Sequence, residues 1–416
     1  MVELSGRDEA MAGGERGESL ALAMRIILRM AEAAGASRLI DVNSAHVDSC
    51  LYQGEAGLDF AERLADGGAT VVVPTTLNVS SLDLLHPHLF RGDREVADRA
   101  RRLMEAYVAM GAEPTWTCAP YQSVRPGFGE HIAWAESNAI VFANSVLGAR
   151  TDRYGDFIDI CAALTGRVPE AGLHLDANRR ARAVFWLGGL SRPLLASEVL
   201  YPILGHLIGR MTGRSIPAIV GLPADAPEDG LKALGAAAAS SGGVAMFHAV
   251  GRTPEAPTLD HALRGEPAAL EVAVDLPMLR KARDELSTAA DGPLTAVSVG
   301  TPHFSISEFE ELARLIAGRR SAIDFFVNTS RDVLARAAAA GLVEPLREAG
   351  VEIVTDTCTY ITPILRHPGG VAMTNSGKWA YYAPGNLGVT VAFGSLADCV
   401  ASAVAGRVTR DETVWR

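Results

Sequence analysis

The sequence lacks the features that mark several common classes of protein. Its five cysteines are odd in number, widely spaced and without a C-x-x-C pair, which disfavours a disulfide framework and leaves metal binding, catalysis or plain burial. No apolar run approaches the roughly 18 residues of a membrane span, and no positively charged, then apolar, leader opens the chain. No G-x-G-x-x-G motif opens a helix after a strand, which argues against a hydride-transfer enzyme.

Concentrated positive charge is also lacking. The 38 basic and 49 acidic residues give a net charge of −11. The short basic clusters at 99–102 and 179–182 lie in mixed sequence, and we interpret them as solvated helix faces. We therefore expect neither a nucleic-acid partner nor a membrane, and a cytoplasmic location. The Gly-rich, acidic residues 1–18 are expected to be a disordered lead-in, so the folded region is predicted over 19–416.

What the sequence does have is an alternation of strand and helix patterns. Ser305 and Glu308 have the spacing of a capping box, and Phe309, Leu312 and Ile316 then fall on one helix face. Strands joined through helices predict parallel βαβ units and an α/β fold. The predicted helices are 20–33, 58–65 and two capped helices after residues 305 and 329. The predicted strands are 39–42, 70–73, 295–299, 323–327 and 351–354.

One segment is a candidate for an inserted lobe. Connectors that contain Gly and Pro occur at 212–217, 222–230 and 251–257. The region from about 217 to 273 is therefore predicted as a lobe inserted between two larger α/β halves.

Polar clusters follow four of the expected strands, at 117–121, 300–303, 328–331 and 355–358. Open α/β sheets bind ligands beyond the carboxyl ends of their strands, so these clusters predict one shared pocket.

The cysteines differ in their surroundings. Cys118 and Cys358 lie in two of these loops, and thiolate is a favoured ligand of iron–sulfur clusters, although a lone cysteine is more often a small buried hydrophobe. Cys50 follows another expected loop and is intermediate. Cys161 and Cys399 lie in helical patterns and are predicted to be buried.

Two further polar segments have open interpretations. Glu130, Trp134 and Asn138 share one face of an expected helix, which forms either a pocket wall or a solvated face. Near Ser376, a Gly turn with Lys378 either binds an anion or is a surface turn.

These residues resemble the aconitase X family, from about residue 20 to about residue 400. The run 136–151 is the most specific part of the resemblance. The stretches that carry it are 44–46, 75–78, 117–121, 129–131, 134–139, 142–151, 300–305, 356–358 and 375–378.

The resemblance implies an aconitase-like layered parallel-sheet core whose swivelling domain is absent from this chain, so a separate small subunit is the expected partner. It implies an iron-dependent hydro-lyase acting on a small hydroxy acid. The stretches 38–42, 115–122 and 153–157 are similar to the branch that dehydrates cis-3-hydroxy-L-proline to pyrroline-2-carboxylate. The alternatives are the large subunit of a mevalonate 5-phosphate dehydratase and a non-catalytic scaffold or binding subunit.

The implied cofactor is iron or an iron–sulfur cluster. A 2Fe–2S cluster is favoured, with mononuclear iron or a 4Fe–4S cluster as alternatives. Some members have cysteine where this chain has Thr301, which cannot supply sulfur. Beside Cys118 and Cys358, we favour Cys50 as the third ligand. A smaller centre, or His303 as a ligand, remains the alternative.

The resemblance also implies roles for polar residues. Lys378, Ser376 and Arg150 are expected to bind the substrate carboxylate, and the base is expected to be a serine of the partner subunit. The expected catalytic residues are His46, Glu130, His131, His303, Ser376 and Lys378. The expected substrate-binding residues are Asn138, Asn144, Arg150, Thr151 and Asn375.

Overall fold

A computed structural model describes residues 2–367 and 369–416. The chain forms two compact units, one within Met1–Leu82 and Asp93–Arg180 and the other within Asp83–Gly92 and Ala181–Arg416. None of the helices in the described ranges combines the length and the apolar composition needed to cross a bilayer.

Within its described residues, the first unit combines six α-helices with five short strands. A π-helical segment, Ala143–Leu147, continues its fifth helix. Its helices are α1 (Gly6–Ala12), α2 (Glu18–Ala34), α3 (Glu55–Asp66), α4 (Arg94–Ala109), α5 (Ser137–Phe142) and α6 (Ile158–Thr165). Its strands are β1 (Leu39–Asp41), β2 (Ala45–Val47), β3 (Thr75–Leu77), β4 (Ala133–Trp134) and β5 (Arg167–Pro169).

A parallel sheet in the order β3-β2-β4 organises this unit, and β1 pairs with β5 in a separate antiparallel ribbon. The three residues of β2 are all buried, as expected for a strand covered on both faces. Helix α2 buries Met24, Ile27 and Ala31, which recur at the spacing of one helix face.

The amino-terminal segment differs from its prediction. Residues expected to be a disordered lead-in form α1, which begins at a capping box between Ser5 and Asp8. Asp8 is fully buried and accepts hydrogen bonds from the Arg167 guanidinium at 2.9 and 3.0 Å. The prediction is wrong for this helix because a contact across 159 residues supplies the order that composition does not show.

Two other local predictions are also wrong. Residues 70–73 lie outside any strand, and the strand begins later, at Thr75. The helix expected from 129 to 138 is instead a turn followed by β4, and α5 begins only at Ser137. Pairing of Trp134 with His46 of β2 explains the difference, because it commits this segment to the sheet.

The described part of the second unit contains ten α-helices and nine strands. Its helices are α7 (Arg192–Leu195), α8 (Leu200–Thr212), α9 (Glu228–Ser241), α10 (Leu259–Leu263), α11 (Leu276–Glu285), α12 (Ile306–Ile316), α13 (Arg331–Ala339), α14 (Val343–Glu348), α15 (Gly377–Leu387) and α16 (Leu396–Ala405). Its strands are β6 (Ala183–Trp186), β7 (Pro217–Val220), β8 (His248–Ala249), β9 (Leu270–Ala273), β10 (Ala296–Phe304), β11 (Asp324–Thr329), β12 (Val351–Val354), β13 (Val371–Thr374) and β14 (Thr390–Phe393).

The five-stranded sheet of this unit has the order β12-β11-β10-β13-β14 and is parallel throughout. All nine residues of β10 are buried, because this central strand has neighbours on both edges and helices on both faces. The predicted capping box of Ser305 and Glu308 begins α12, which packs Phe309, Leu312 and Ile316 into the core. The predicted α/β class with parallel sheets is confirmed.

The region at about 217–273, predicted as an inserted lobe, does not have a sheet of its own. Strands β7, β8 and β9 lie in that range, but they join β6 in one four-stranded parallel sheet of order β8-β7-β6-β9. The sheet therefore begins at Ala183, before the predicted boundary, because β6 is the strand that pairs with both β7 and β9.

Candidate active site

Two buried carboxylates fix the loop that follows β12. Asp83 accepts hydrogen bonds from the backbone N–H of Thr355 at 2.8 Å and from its hydroxyl at 2.9 Å. Asp356 has a positive φ of 61° and accepts two hydrogen bonds from Arg331, at 2.6 and 2.7 Å. Charge-assisted bonds of this kind are strong, so the loop that carries Cys358 is held rigidly.

Two metal-binding side chains meet at this edge of the sheet. The ligand atoms of His303, on β10, and Cys358 lie within 4.8 Å of each other, and both residues are buried. His303 Nε2 is 3.2 Å from the carbonyl oxygen of Thr357. The hydroxyl of Thr301 is buried and makes no hydrogen bond within the described residues. A converging imidazole and thiol fit an iron centre.

Asn328 ties the ends of neighbouring strands together. Its amide nitrogen donates to the carbonyl of Val299 at 2.8 Å, and its oxygen accepts from the backbone N–H of Thr359 at 2.9 Å. Trp379 donates its indole N–H to the Thr359 hydroxyl at 3.0 Å. Strands β10 and β11 and the loop after β12 are therefore cross-linked with α15.

The backbone packed against Gly300 leaves no room for a side chain at this position. Its φ is +85°, and a Cβ there would lie 2.2 Å from the carbonyl oxygen of Asn328. We expect Gly300→Ala to cost about 3 kcal/mol or more, because backbone must shift. Gly318→Ala is the control, since its φ is +70° with nothing within 4 Å, and it should cost only about 1 kcal/mol. Denaturant unfolding measures both, and equal losses would contradict the prediction.

The turn before α15 is partly structural. The Ser376 hydroxyl donates to the carbonyl of Thr301 and accepts from the Trp379 N–H at 3.0 Å, so it caps the helix. A direct catalytic role for Ser376 is therefore disfavoured. Lys378 is buried, with its Nζ 5.9 Å from the ring centroid of Tyr360. Asn375 is half-buried beside it. Both stay predictions as substrate contacts.

In the first unit, polar side chains gather where β2, β3 and β4 end. The Nδ1 atom of His46 is 2.8 Å from the hydroxyl of Thr76. Burial lowers the pKa of His46 to about 4, so its imidazole is neutral at pH 7. The Asn78 amide nitrogen donates to the carboxylate of Asp48, directly after β2. Asn78 lies in a stretch that carries the family resemblance and Asp48 does not, and neither was predicted as a site residue.

Cys118 and Asn138 are neighbours in this unit. Cys118 is 2% exposed and follows Trp116, which has a positive φ of 44°. The amide nitrogen of Asn138 donates to the Cys118 carbonyl at 3.0 Å and lies 2.8 Å from the hydroxyl of Tyr121. Asn138 therefore orients the loop that carries Cys118.

Cys50 has a different environment. Its thiol lies 3.4 Å from the carbonyl of Val47 and 3.3 Å from that of Asn78, which makes it a hydrogen-bond donor. Burial, with Asp48 nearby, raises the pKa of the thiol well above its usual value. The preference for Cys50 as third iron ligand is therefore reversed in favour of His303.

Several residues expected at the site make internal contacts instead. Glu130 caps a turn by accepting from the Gly127 N–H at 2.7 Å. His131 Nδ1 is 2.9 Å from Nδ1 of His174, and Arg150 donates to the His174 carbonyl at 2.9 Å. These bonds orient the three side chains toward their own loops, so we no longer propose them for catalysis or substrate binding.

Asn144 and Thr151 form another internal network. Asn144 donates to the Thr151 carbonyl at 2.9 Å and accepts from its N–H at 3.1 Å. Arg179, fully buried, donates to Asn144 Oδ1 at 3.1 Å, so its interpretation as part of a solvated face is wrong. The polar groups of Asn144 and Thr151 are bonded within the fold, and their substrate contacts stay predictions.

Acid should weaken this first unit through His174. Burial, followed by the charges of His131, Arg179 and Arg150, lowers the pKa of His174 to about 3. The unfolded chain takes up the proton near pH 6.5 and the folded one does not, so stability falls as the pH drops below 6.5. We expect the stability advantage of the wild type over His174→Gln to shrink by about 2 kcal/mol between pH 7 and pH 5. Urea unfolding at both values measures this, and a constant difference would contradict it.

The fold and these side chains define a class: an α/β protein with a buried thiol and imidazole, both suited to bind a metal ion, at the carboxyl edge of a parallel sheet. The chain belongs to the aconitase X family. Family models match all three of its parts, the aconitase X first domain at residues 1–177, the second domain at 184–284 and the third domain at 294–405. The predicted family is confirmed.

Named relatives are dehydratases. The chain is 47% identical to a cis-3-hydroxy-L-proline dehydratase of Pseudomonas aeruginosa, over 98% of this chain and 71% of the relative. It is 44% identical to a protein of the same name from Hypocrea jecorina, over 97% of this chain and 69% of the relative. Identity is 37% with the phosphomevalonate dehydratase large subunit of Methanothermobacter thermautotrophicus, over 94% and 96% of the two chains. The predicted hydro-lyase class is confirmed.

A solved structure has the same fold. The holo-form of Thermococcus kodakaraensis aconitase X matches with a TM-score of 0.87 and 33% identity, over 97% of this chain and 100% of the other.

Proposed function

We propose that this chain dehydrates cis-3-hydroxy-L-proline to pyrroline-2-carboxylate. The observation that carries the proposal is the 47% and 44% identity to two proteins with this named activity, against 37% to an archaeal phosphomevalonate dehydratase large subunit. The buried pair of His303 and Cys358 supports an iron-dependent reaction.

In this proposal, Cys358 and His303 bind iron, and Cys118 supplies a further thiolate. The donor chemistry of each loop supports this set, because thiolate and imidazole both suit iron. When bound, the iron would act as a Lewis acid and stabilise the leaving hydroxide. The Thr301 hydroxyl, buried and without a hydrogen-bond partner in the described chain, is available to a ligand of this site.

The chain's own residues then bind and orient the substrate. Lys378 is a buried cation at the amino end of α15, and we propose that it holds the substrate carboxylate. The base that removes the α-proton is proposed to come from a small partner subunit. The name "large subunit" of the archaeal relatives supports such a partner. A cytoplasmic location is proposed because none of the five cysteines forms a disulfide within the described residues.

A dehydratase assay tests this function. The protein is purified without oxygen, loaded with iron and combined with the small subunit from the same organism. Cis-3-hydroxy-L-proline should be converted, and mevalonate 5-phosphate should not. Conversion of mevalonate 5-phosphate alone would overturn the proposed substrate. A preparation that binds no iron and converts neither compound would favour the scaffold alternative.

A further inference from the structure

Four polar side chains of the first unit lie on one face of its parallel sheet. His46 and Asp48 are two residues apart on β2 and its continuation, and Thr76 and Asn78 are two residues apart on β3 and its continuation. Side chains two residues apart on a strand point to the same face of the sheet. Two contacts place the pairs together, one between His46 and Thr76 and one between Asp48 and Asn78. The face continues on β4, where the rings of His46 and Trp134 have centroids 5.9 Å apart.

The carboxylate of Glu136 extends this face at its carboxyl edge. It stands two residues after Trp134 and accepts from the Ala139 N–H at 2.7 Å as the cap of α5. It also contributes electrostatically to both His46 and Asp48, which places its charge near the ends of the neighbouring strand.

Two buried amide oxygens at this edge lack hydrogen bonds within the described residues. They are Oδ1 of Asn78, which is 2% exposed, and Oδ1 of Asn138, which is fully buried. Their orientation is fixed, because the nitrogen of Asn78 faces the Asp48 carboxylate and that of Asn138 faces the Cys118 carbonyl. The imidazole of His46 also interacts with the Asn78 side chain. Burying an acceptor without a donor costs free energy, so the Asn138 oxygen is the one that indicates a missing donor.

The charge at this edge has the same sign throughout. Burial raises the pKa of Asp48 to about 7, and the charges of Glu136, Asp156 and Asp159 add to that rise. A ligand that brings both positive charge and N–H donors would relieve the repulsion and satisfy the open acceptor.

We propose that Asp48, supported by Glu136 and Asn78, binds the ring ammonium of the amino-acid substrate and thereby selects it. This inference rests on the proposed function. Cis-3-hydroxy-L-proline carries a secondary ammonium with two N–H donors, whereas mevalonate 5-phosphate has neither nitrogen nor positive charge. Asp48 is therefore a specificity-determining residue that favours a cyclic amino acid over a phosphorylated hydroxy acid.

Isothermal titration of the full, iron-loaded chain tests the inference with two probes of equal shape. L-proline carries the ring ammonium, and (S)-tetrahydrofuran-2-carboxylate replaces it with an ether oxygen. The wild type should bind L-proline on the order of 100-fold more tightly, because a site built for an N–H donor rejects an analogue that lacks it. Asp48→Asn should reduce that ratio to below about 10-fold and leave the affinity for the ether acid unchanged.

Asp98→Asn is the matched control, because it makes the same substitution at an exposed position of α4 in the same unit, away from the charges that act on Asp48. In this variant, the ratio of the affinities for L-proline and the ether acid should stay within about 3-fold of the wild-type ratio. Should Asp48→Asn not fold, Glu136→Gln keeps a capping oxygen and should lower the ratio by several-fold.

The outcomes separate the two proposals. Equal binding of both probes by the wild type, with cis-3-hydroxy-L-proline still converted, would overturn the ammonium site alone. An affinity ratio that is unchanged in both Asp48→Asn and Glu136→Gln would also overturn the ammonium site alone. Binding of mevalonate 5-phosphate with neither ring acid bound would overturn the proposed substrate and this inference together.

Discussion

Cys358→Ala is expected to lose iron and activity together while the fold survives. The thiol stands within 4.8 Å of the His303 ligand atom, in a loop fixed through Thr355 and Asp356. Those loop contacts do not involve the sulfur, so alanine should cost little stability. A Lewis acid supplies several kcal/mol to the departure of hydroxide, so activity should fall by about a thousandfold or more. Iron content, dehydratase rate and thermal unfolding measure the three parts of this prediction.

Cys399→Ala is the matched control for this experiment. Cys399 is fully buried in α16 of the same unit, and burial raises the pKa of its thiol well above the usual value. It is an inert apolar side chain, and its replacement should leave iron and activity unchanged. Full iron retention in Cys358→Ala would remove Cys358 from the ligand set, and iron loss in both variants would point to a general effect of cysteine removal.

Local signals in the sequence predicted much of the second unit. Ser305 and Glu308 satisfy each other's backbone groups within one turn, so the beginning of α12 depends on neighbours in sequence alone. Strand β12 has the predicted limits, Val351–Val354, because a short apolar run between helices leaves little ambiguity. The second capped helix begins one residue later than expected, with Ser330 rather than Thr329 as its cap.

Tertiary pairing overrode local pattern where the predictions were wrong. Glu130, Trp134 and Asn138 have helical spacing, but Trp134 pairs with β2 and so belongs to a strand. A two-residue strand such as β4 has no periodicity of its own to detect. The sequence pattern could not reveal a partner that lies almost ninety residues earlier.

The site was predictable where the chemistry belongs to one residue type. Cys358 and His303 were singled out as thiol and imidazole in loops after strands, and the structure brings their ligand atoms together. Asp83 was missed because its partner Thr355 is 272 residues away, and nothing local marks that contact. The internal bonds of Asn144 were not predictable, because a polar residue that stabilises the fold has the same local pattern as one that binds substrate.

Lys232→Met is expected to destabilise the second unit by about 3–5 kcal/mol, the usual effect of breaking a buried ion pair from one side. Lys232 is 2% exposed, and its Nζ lies 2.9 Å from Asp229 Oδ1, in direct contact with the Glu308 carboxylate and 3.3 Å from the His303 carbonyl. Its removal would leave two half-buried carboxylates side by side without a cation. The expected fall in melting temperature is about 10 °C, measured by calorimetry.

Two further variants show whether the unpaired charge is the cause. Lys281→Met makes the same substitution at an exposed position of α11 and should change stability by less than about 0.5 kcal/mol. Adding Glu308→Gln to Lys232→Met removes one of the two carboxylates left without a cation. The double variant should recover part of the lost stability, because Asp229 is then no longer repelled by a second negative charge. If the double variant is no more stable than Lys232→Met, lost packing of the lysine stem, rather than buried charge, explains the effect. Because Lys232 also touches the backbone of His303, iron affinity should fall with stability in Lys232→Met and recover with it in the double variant.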